Sequence, residues 1–334
     1  MEEKGLSGLK NLGNTCFINS TLQVLSHTHE MNELFKDNIR INKNIDAYLF
    51  NEWKYLYKLI WNKNTIISPN NFLSTLQVIS VKKENDLFSG FQQNDLPEFL
   101  IFLMDCFHNA LSREINIEIK GTVENDTDKI ALKCYETIKN MYSKDYSEIW
   151  SIFYAIQVTE LKSVSRGSIV SLIPEPFFIL NLSIPEKKNV SLMDCFSDFS
   201  SEEILENENA WLNEETGEKE SVIKRNVFWS LPKILVINIK RYNNNNRKNQ
   251  KLVEFPLEDL DLSPFIIGYK KEEYKYDLYG VCNHSGNVLG GHYTSYVKTS
   301  QNNWYLFNDT QVSKVVNPSS IITPKAYCLF YRKK

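Results

Sequence analysis

Residues 8–25 read GLKNLGNTCFINSTLQVL. Ile18, Leu22 and Leu25 recur at helical spacing, which predicts a helix over residues 14–36 with Asn14 or Thr15 as its cap. Cys16 falls at the amino end of that helix, where the dipole and unpaired N–H groups favour a thiolate. Gly13 and Asn14 permit a tight turn that leaves the sulfur near the surface. A free cysteine is equally a small buried hydrophobe, so the stretch alone leaves both readings open.

Outward from this stretch, DAYLFNEWKYLYKLIW (46–61), residues 70–80 and DLPEFLIFLMDCFHNALS (95–112) carry apolar positions three and four apart, as helices do. Asp95 and Glu98 have capping-box spacing, with Pro97 in the first turn. His27 and His29 lie where the end of the first helix favours a cation. After about residue 148 the pattern changes. IWSIFYAIQVTEL, PFFILNLSIP, VIKRNVFWSLP, KILVINIKRY and AYCLFYRKK read as strands, interrupted by a helical SLMDCFSDF near residue 195. Helices in about residues 1–148 and antiparallel strands in about 149–334 make an α+β fold. NNNNRKNQ (243–250) reads as an exposed hairpin loop, and SSEEILENENAWLNEETGEKES as a mobile acidic connection.

The chain of 334 residues has a formal net charge of −3 and 42% hydrophobic residues, so it reads as globular, with no nucleic-acid or membrane-surface partner. No apolar run approaches the roughly 18 residues of a membrane span. The six cysteines (16, 106, 134, 195, 282 and 328) include no CxxC pair, which points to an intracellular reducing compartment, cytoplasm or nucleus.

Two further segments bear chemistry. His292 in GGHYTSYV follows Gly290 and Gly291, which allow close approach of backbone or substrate. Asn308 and Asp309 in WYLFNDTQV supply an amide or carboxylate able to orient an imidazole, although Asn-Asp also simply makes turns. Cys, His and Asn/Asp together are the parts of a thiol-dependent acyl transfer. Asn11 can aim its amide at an oxyanion.

In this order the segments resemble the ubiquitin-specific proteases. GLKNLGNTCFINSTLQVL is similar to that family's cysteine box, and NHSGNVLGGHYTSYVK with NNWYLFNDTQVSKV to its histidine box. GFQQNDLPEFLIFLMD resembles its QQDAxEF segment, and LPKILVINIKRY through FPLEDLDL its next one. The resemblance implies a papain-like fold of helical thumb with β-rich palm and fingers, in a single catalytic domain over residues 1–334. It implies Cys16 as nucleophile, His292 as general base and acid, and Asn308 as orienting group, with Asp309 as a possible sharer of that role. Asn11 becomes the oxyanion donor. Asp95, Glu98, Gly290, Gly291 and Tyr293 become contacts for the ubiquitin tail, with helix capping as the competing role for the two acids.

The resemblance further implies ubiquitin and ubiquitinated proteins as partners, in a chain expected to be a monomer. A catalytically weak ubiquitin-binding module, or a protease for another ubiquitin-like modifier, is the alternative. The sequence departs from many relatives in lacking the two CxxC pairs of the fingers, so no zinc or other cofactor is expected. Leu161, Val164 and Trp211 are the expected substitutes for that metal core. No accessory targeting domain is expected beside the catalytic region.

Overall fold

The computed structural model describes residues 3–36, 39–213, 216–243, 245–287 and 290–334. Four helices follow the predicted apolar spacing: α1 (Cys16–Ser26), α2 (Asp46–Asn62), α3 (Asn70–Lys82) and α4 (Leu96–Leu111). α1 is shorter than its pattern suggested, and a 3-10 turn follows at His29–Phe35. Side chains take over its last carbonyls: Thr28 Oγ1 donates to Val24 at 3.2 Å and Trp61 Nε1 to Ser26 at 3.0 Å. His27, beyond that end, is not a surface cation. It is fully buried, and burial pushes its pKa down to about 4.

Three more helices complete the set used below. α5 (Asp126–Tyr142) buries only Ile130, Ala131 and Cys134, a stripe too narrow to announce itself in the sequence. α6 (Glu148–Phe153) takes the start of the run read as a strand. Its Ile149, Ile152 and Phe153 bury together, and a short apolar run fits either period. α7 (Leu192–Phe199) is the predicted helix, closed by a Ser191–Asp194 capping box.

The longer strands are β1 (Ala155–Ser163), β2 (Ile169–Phe177), β3 (Ile179–Ser183), β4 (Glu203–Leu205), β5 (Val222–Phe228), β6 (Ile234–Lys240), β7 (Lys275–Asn287), β8 (Gly290–Lys298), β9 (Trp304–Asn308), β10 (Gln311–Lys314) and β11 (Ala326–Lys333). A small antiparallel sheet has the order β2-β1-β5-β4. The larger runs β10-β9-β8-β7-β11-β6-β3, with Leu260–Asp261 added to β7. Its β3–β6 pair is parallel, unlike the antiparallel expectation. The physical reason is the crossover: α7, β4 and β5 separate the two strands, and parallel neighbours need such a long connection.

Side-chain alternation sorts the strands onto two cores. Ile234, Val236 and Phe330 pack with the helices, while Leu235, Ile237, Leu329 and Tyr331 face the opposite core. A sheet covered on both faces explains why KILVINI and AYCLFY are nearly continuous apolar runs. α1 lies between this sheet and the other helices, with all its residues buried. Its polar side chains are engaged, for example Ser20 Oγ on the Cys16 carbonyl at 2.7 Å and Gln23 Nε2 on that of Ser7 at 2.8 Å.

Two connections differ from or extend their reading. The acidic stretch contains β4 and a short pairing of Trp211–Leu212 with Lys219–Glu220, with Glu214 and Glu215 outside the described residues. The 243–250 tract is a hairpin, bridged at Tyr242 and Lys248, with Asn244 outside the described residues. Of the expected substitutes for a metal core, Leu161 in the small sheet is buried, but Val164 after its strand is 50% exposed and Trp211, in the separate pairing, only half-buried. A polar clasp joins the strands there instead. Glu220 accepts Arg166 Nη2 at 2.6 Å, Ser165 Oγ at 3.3 Å and the Ser163 hydroxyl.

Candidate active site

The loop before α1 turns through left-handed residues, Gly13 with φ +107° and Asn14 with φ +56°. Asn11 Oδ1 holds the turn by accepting the amides of Gly13 at 3.2 Å and Thr15 at 3.0 Å. Thr15 occupies the cap position without a side-chain cap bond, because its hydroxyl accepts the Leu12 amide at 2.9 Å. Cys16 is 3% exposed, not near the surface as the turn suggested. Its thiol pKa is raised, first by burial and then by the charge of Asp309, against the amides of Tyr293, Phe17 and Cys16 itself. Burial therefore outweighs the helix terminus that was expected to lower it.

The Tyr293 amide facing Cys16 belongs to β8, which carries His292. The register of β8 with β9, Ser295 opposite Phe307, brings Asn308 beside His292. His292 Nε2 donates to Asn308 Oδ1 at 2.7 Å. An amide oxygen only accepts, so Nε2 carries the proton and Nδ1 is the basic nitrogen.

Asp309 does not join that contact. Its φ of +49° turns the carboxylate toward the amino-terminal segment. There Oδ1 accepts Asn19 Nδ2 at 2.8 Å and Oδ2 accepts Asn11 Nδ2 at 3.1 Å. Its carbonyl also accepts the Leu9 amide at 2.9 Å. The two neighbours thus divide their contacts, Asn308 to the imidazole and Asp309 to Asn11. One amide hydrogen of Asn11 is engaged, leaving its second for an oxyanion.

Asp95 sits at the α4 cap position but makes no side-chain cap bond, so the capping box is not formed. Its Oδ1 accepts the Tyr293 hydroxyl at 3.0 Å, and Tyr327 also bonds it. Burial raises the Asp95 pKa against these bonds, and burial with the nearby Asp95 charge raises that of Glu98. Asp95, Tyr293, Tyr327, Tyr242, His284 and Gly290 line a cleft of about 280 Å³. Gly291 is required by close approach: a Cβ there falls on the His284 ring and the Ser285 carbonyl.

Gln93 and Asn19 were quoted within the motifs above but given no role. Gln93 Oε1 accepts the Gly291 amide at 2.6 Å, and its Nε2 donates to the Gly291 carbonyl at 3.0 Å. It thereby ties the approach to α4 onto β8. The signal for Asn19 was its place one turn after Cys16, on the face that meets Asp309. Among the described residues no group of three His, Cys, Asp or Glu side chains is arranged to hold a metal.

The site thus combines a buried thiol, an oriented imidazole, an amide donor and a cleft lined by Asp95. A family model described as ubiquitin carboxyl-terminal hydrolase matches residues 7–331. Ubiquitin carboxyl-terminal hydrolase 2 of Homo sapiens is 33% identical over 342 aligned positions, 98% of this chain and 55% of that protein. Ubiquitin carboxyl-terminal hydrolase 4 of Saccharomyces cerevisiae is 31% identical, over 98% of this chain and 39% of that protein. The chain spans about half the length of the curated relatives it matches. Among solved structures, the SAGA DUB module containing Ubp8 and bound to ubiquitin aldehyde is similar, with a TM-score of 0.75 at 23% identity. That likeness covers 99% of this chain and 70% of the other, and speaks for the fold alone.

Proposed function

The chain belongs to the ubiquitin carboxyl-terminal hydrolase family, and from that premise we propose that it is a cysteine peptidase cleaving the bond after the carboxyl-terminal glycine of ubiquitin. The observation that carries this reading is the 2.7 Å bond from His292 Nε2 to Asn308 Oδ1, on a strand whose next amide faces Cys16. In this reading burial keeps Cys16 a neutral thiol at rest. As its sulfur attacks the glycine carbonyl carbon, His292 Nδ1 takes the thiol proton. The resulting oxyanion meets the second amide hydrogen of Asn11 and the N–H groups at the start of α1. The imidazolium then protonates the leaving amine, and a thioester remains. Water, deprotonated by His292, attacks the thioester and releases ubiquitin with the thiol restored.

Substrate positioning follows the cleft. Gly290 and Gly291 form a narrow wall suited to a Gly-Gly end, and Tyr293 holds Asp95 against it. Glu98 is the more exposed acid and the stronger counter-charge for arginines near the ubiquitin tail. The reading needs no metal or other cofactor. At the turn after β1 the Glu220–Arg166 clasp joins the small sheet to the Lys219–Glu220 pairing, and its Ser and Arg groups are not a zinc donor set. Elemental analysis finding one metal per chain would overturn that. Six unpaired cysteines without a CxxC pair fit an intracellular location, and a monomer is the expected state.

The test is labelling with ubiquitin that bears a carboxyl-terminal electrophile. Wild type is expected to form one covalent adduct, and Cys16→Ala none. Adduct formation by Cys16→Ala refutes the assignment. Faster labelling by a different ubiquitin-like modifier in the same format moves the substrate to that modifier, and normal ubiquitin binding without turnover makes the chain a binding module.

A further inference from the structure

A groove of about 980 Å³ takes no part in the chemistry above. It lies between residues 183–187 at the end of β3 and, among the described residues, 240–243 and 245–251, the end of β6 and the hairpin after it. Six cationic side chains line it against one carboxylate, Glu186, in a chain of net charge −3. Lys187 is neutralised by Asp194 at 2.5 Å. The other five, Lys240, Arg241, Arg247, Lys248 and Lys251, make no ion pair within 4.0 Å among the described residues.

Arg241 is the base of the groove and is 1% exposed. Its Nε donates to the Ala326 carbonyl at 2.6 Å, and its Nη1 to those of Asn249 at 3.1 Å and Lys251 at 2.9 Å. Its Nη2 has no hydrogen-bond partner. A buried guanidinium ordinarily meets an anion with its fork, and here it meets only carbonyls. Lys248 Nζ donates to the His284 carbonyl at 2.7 Å and faces its Nδ1 at 3.0 Å. Its pKa is pushed down to about 8 by burial and by the charges of Arg241 and Lys325. Among the described residues the groove thus carries an excess of positive charge, with Glu186 as the one carboxylate in its lining.

We infer that this groove binds a compact anion bearing several phosphates, with Lys240, Arg247 and Lys248 as its rim contacts. The volume, at the upper end of small-molecule sites, is too large for a single phosphate. An extended acidic peptide spreads its charges at about 3.3 Å per residue along a line, whereas these five residues line one cavity, with Lys248 and Lys251 held on the carbonyls of His284 and Lys187. Arginine and lysine donors of this density match phosphate oxygens. The site also communicates with the tail cleft. Tyr242 lines both cavities, and Lys248 holds the histidine against which Gly291 packs. An anion that draws Lys248 away leaves His284 Nδ1 to the Tyr242 hydroxyl, at 3.1 Å.

The probe is sodium tripolyphosphate, titrated calorimetrically into the full chain. We expect one site, with affinity falling steeply as salt is raised. The Lys240→Gln, Arg247→Gln, Lys248→Gln triple variant, with an unchanged melting curve, loses at least roughly tenfold in affinity. The same loss in a variant with Lys133→Gln and Lys139→Gln, two exposed lysines of α5, overturns the site as unspecific charge attraction. No heat at millimolar probe also overturns it, and tighter binding of a glutamate-rich peptide than of tripolyphosphate overturns the phosphate assignment in favour of an acidic polypeptide. Because the readout is binding, failure here is separate from failure of the peptidase reading.

Discussion

Replacing Asp309 with Ala asks whether this carboxylate serves the oxyanion side of the site or the imidazole side. In the structure it bonds Asn19 at 2.8 Å and Asn11 at 3.1 Å, not His292. Hydrogen bonds to a charged group contribute about 1.5–3 kcal/mol each, so without Asp309 the Asn11 amide nitrogen loses its partner while its oxygen stays on the Gly13 and Thr15 amides. A lost oxyanion donor costs about 2.7–4 kcal/mol in the transition state. Removing the charge also has the opposite effect, because Asp309 raises the Cys16 pKa. The expectation is a net loss in kcat/KM that stays below the full cost of an oxyanion donor, about 2.7–4 kcal/mol or roughly 10²- to 10³-fold, because the two effects oppose. The assay is hydrolysis of a fluorogenic ubiquitin substrate by wild type, Asn11→Ala, Asp309→Ala and the double variant. Asp309→Asn, which retains an oxygen for Asn19, controls for folding. If Asp309 acts through Asn11, the double variant loses no more than Asn11→Ala alone. Additive losses, or a faster Asp309→Ala enzyme, would refute the argument.

Asn308→Ala removes the 2.7 Å partner of His292 and should lower kcat by about 10²-fold or more with little change in KM, while Asn308→Asp restores most of it. A KM effect of the same size would assign Asn308 to substrate binding instead. Gly291→Ala drives a methyl group into the His284 ring and the Ser285 carbonyl, which should cost about 1–3 kcal/mol of stability and slow probe labelling; a normal melting curve with normal labelling contradicts the packing described. His27, held near pKa 4 when folded against an ordinary 6.5, is neutral in both states above pH 7. The unfolded chain takes up its proton first as pH falls, so about 2 kcal/mol of stability should be lost between pH 7 and pH 5. Urea unfolding of wild type and His27→Phe checks this, since the variant should lack that part of the slope.

The boundaries of α2, α3, α4 and α7 were legible because each has a wide apolar stripe or a capping signal of its own. α6 was misread because six residues with three apolar side chains fit a helix and a strand equally well. The parallel placement of β3 beside β6 was not legible, since nothing local to either strand specifies its neighbour. At the site, Cys16, His292 and Asn308 could be picked out as types in order. The burial that raises the thiol pKa could not, because it comes from packing across residues distant in the chain.

By itself the sequence determined which groups are present: one thiol at a helix start, a histidine after two glycines, and an Asn-Asp pair after an aromatic run. It also determined that no cysteine pairs occur for a metal in the small sheet. These depend on residue identity and short-range spacing. Tertiary structure decided the direction in which each group faces. Asn308 turns to the imidazole and Asp309, one residue later in a left-handed conformation, to Asn11 and Asn19. Asp95 leaves its helix cap for two tyrosines. The physical reason is the same in each case: a polar side chain entering a buried site takes the partner that the assembled strands and helices present, and local pattern does not encode that partner.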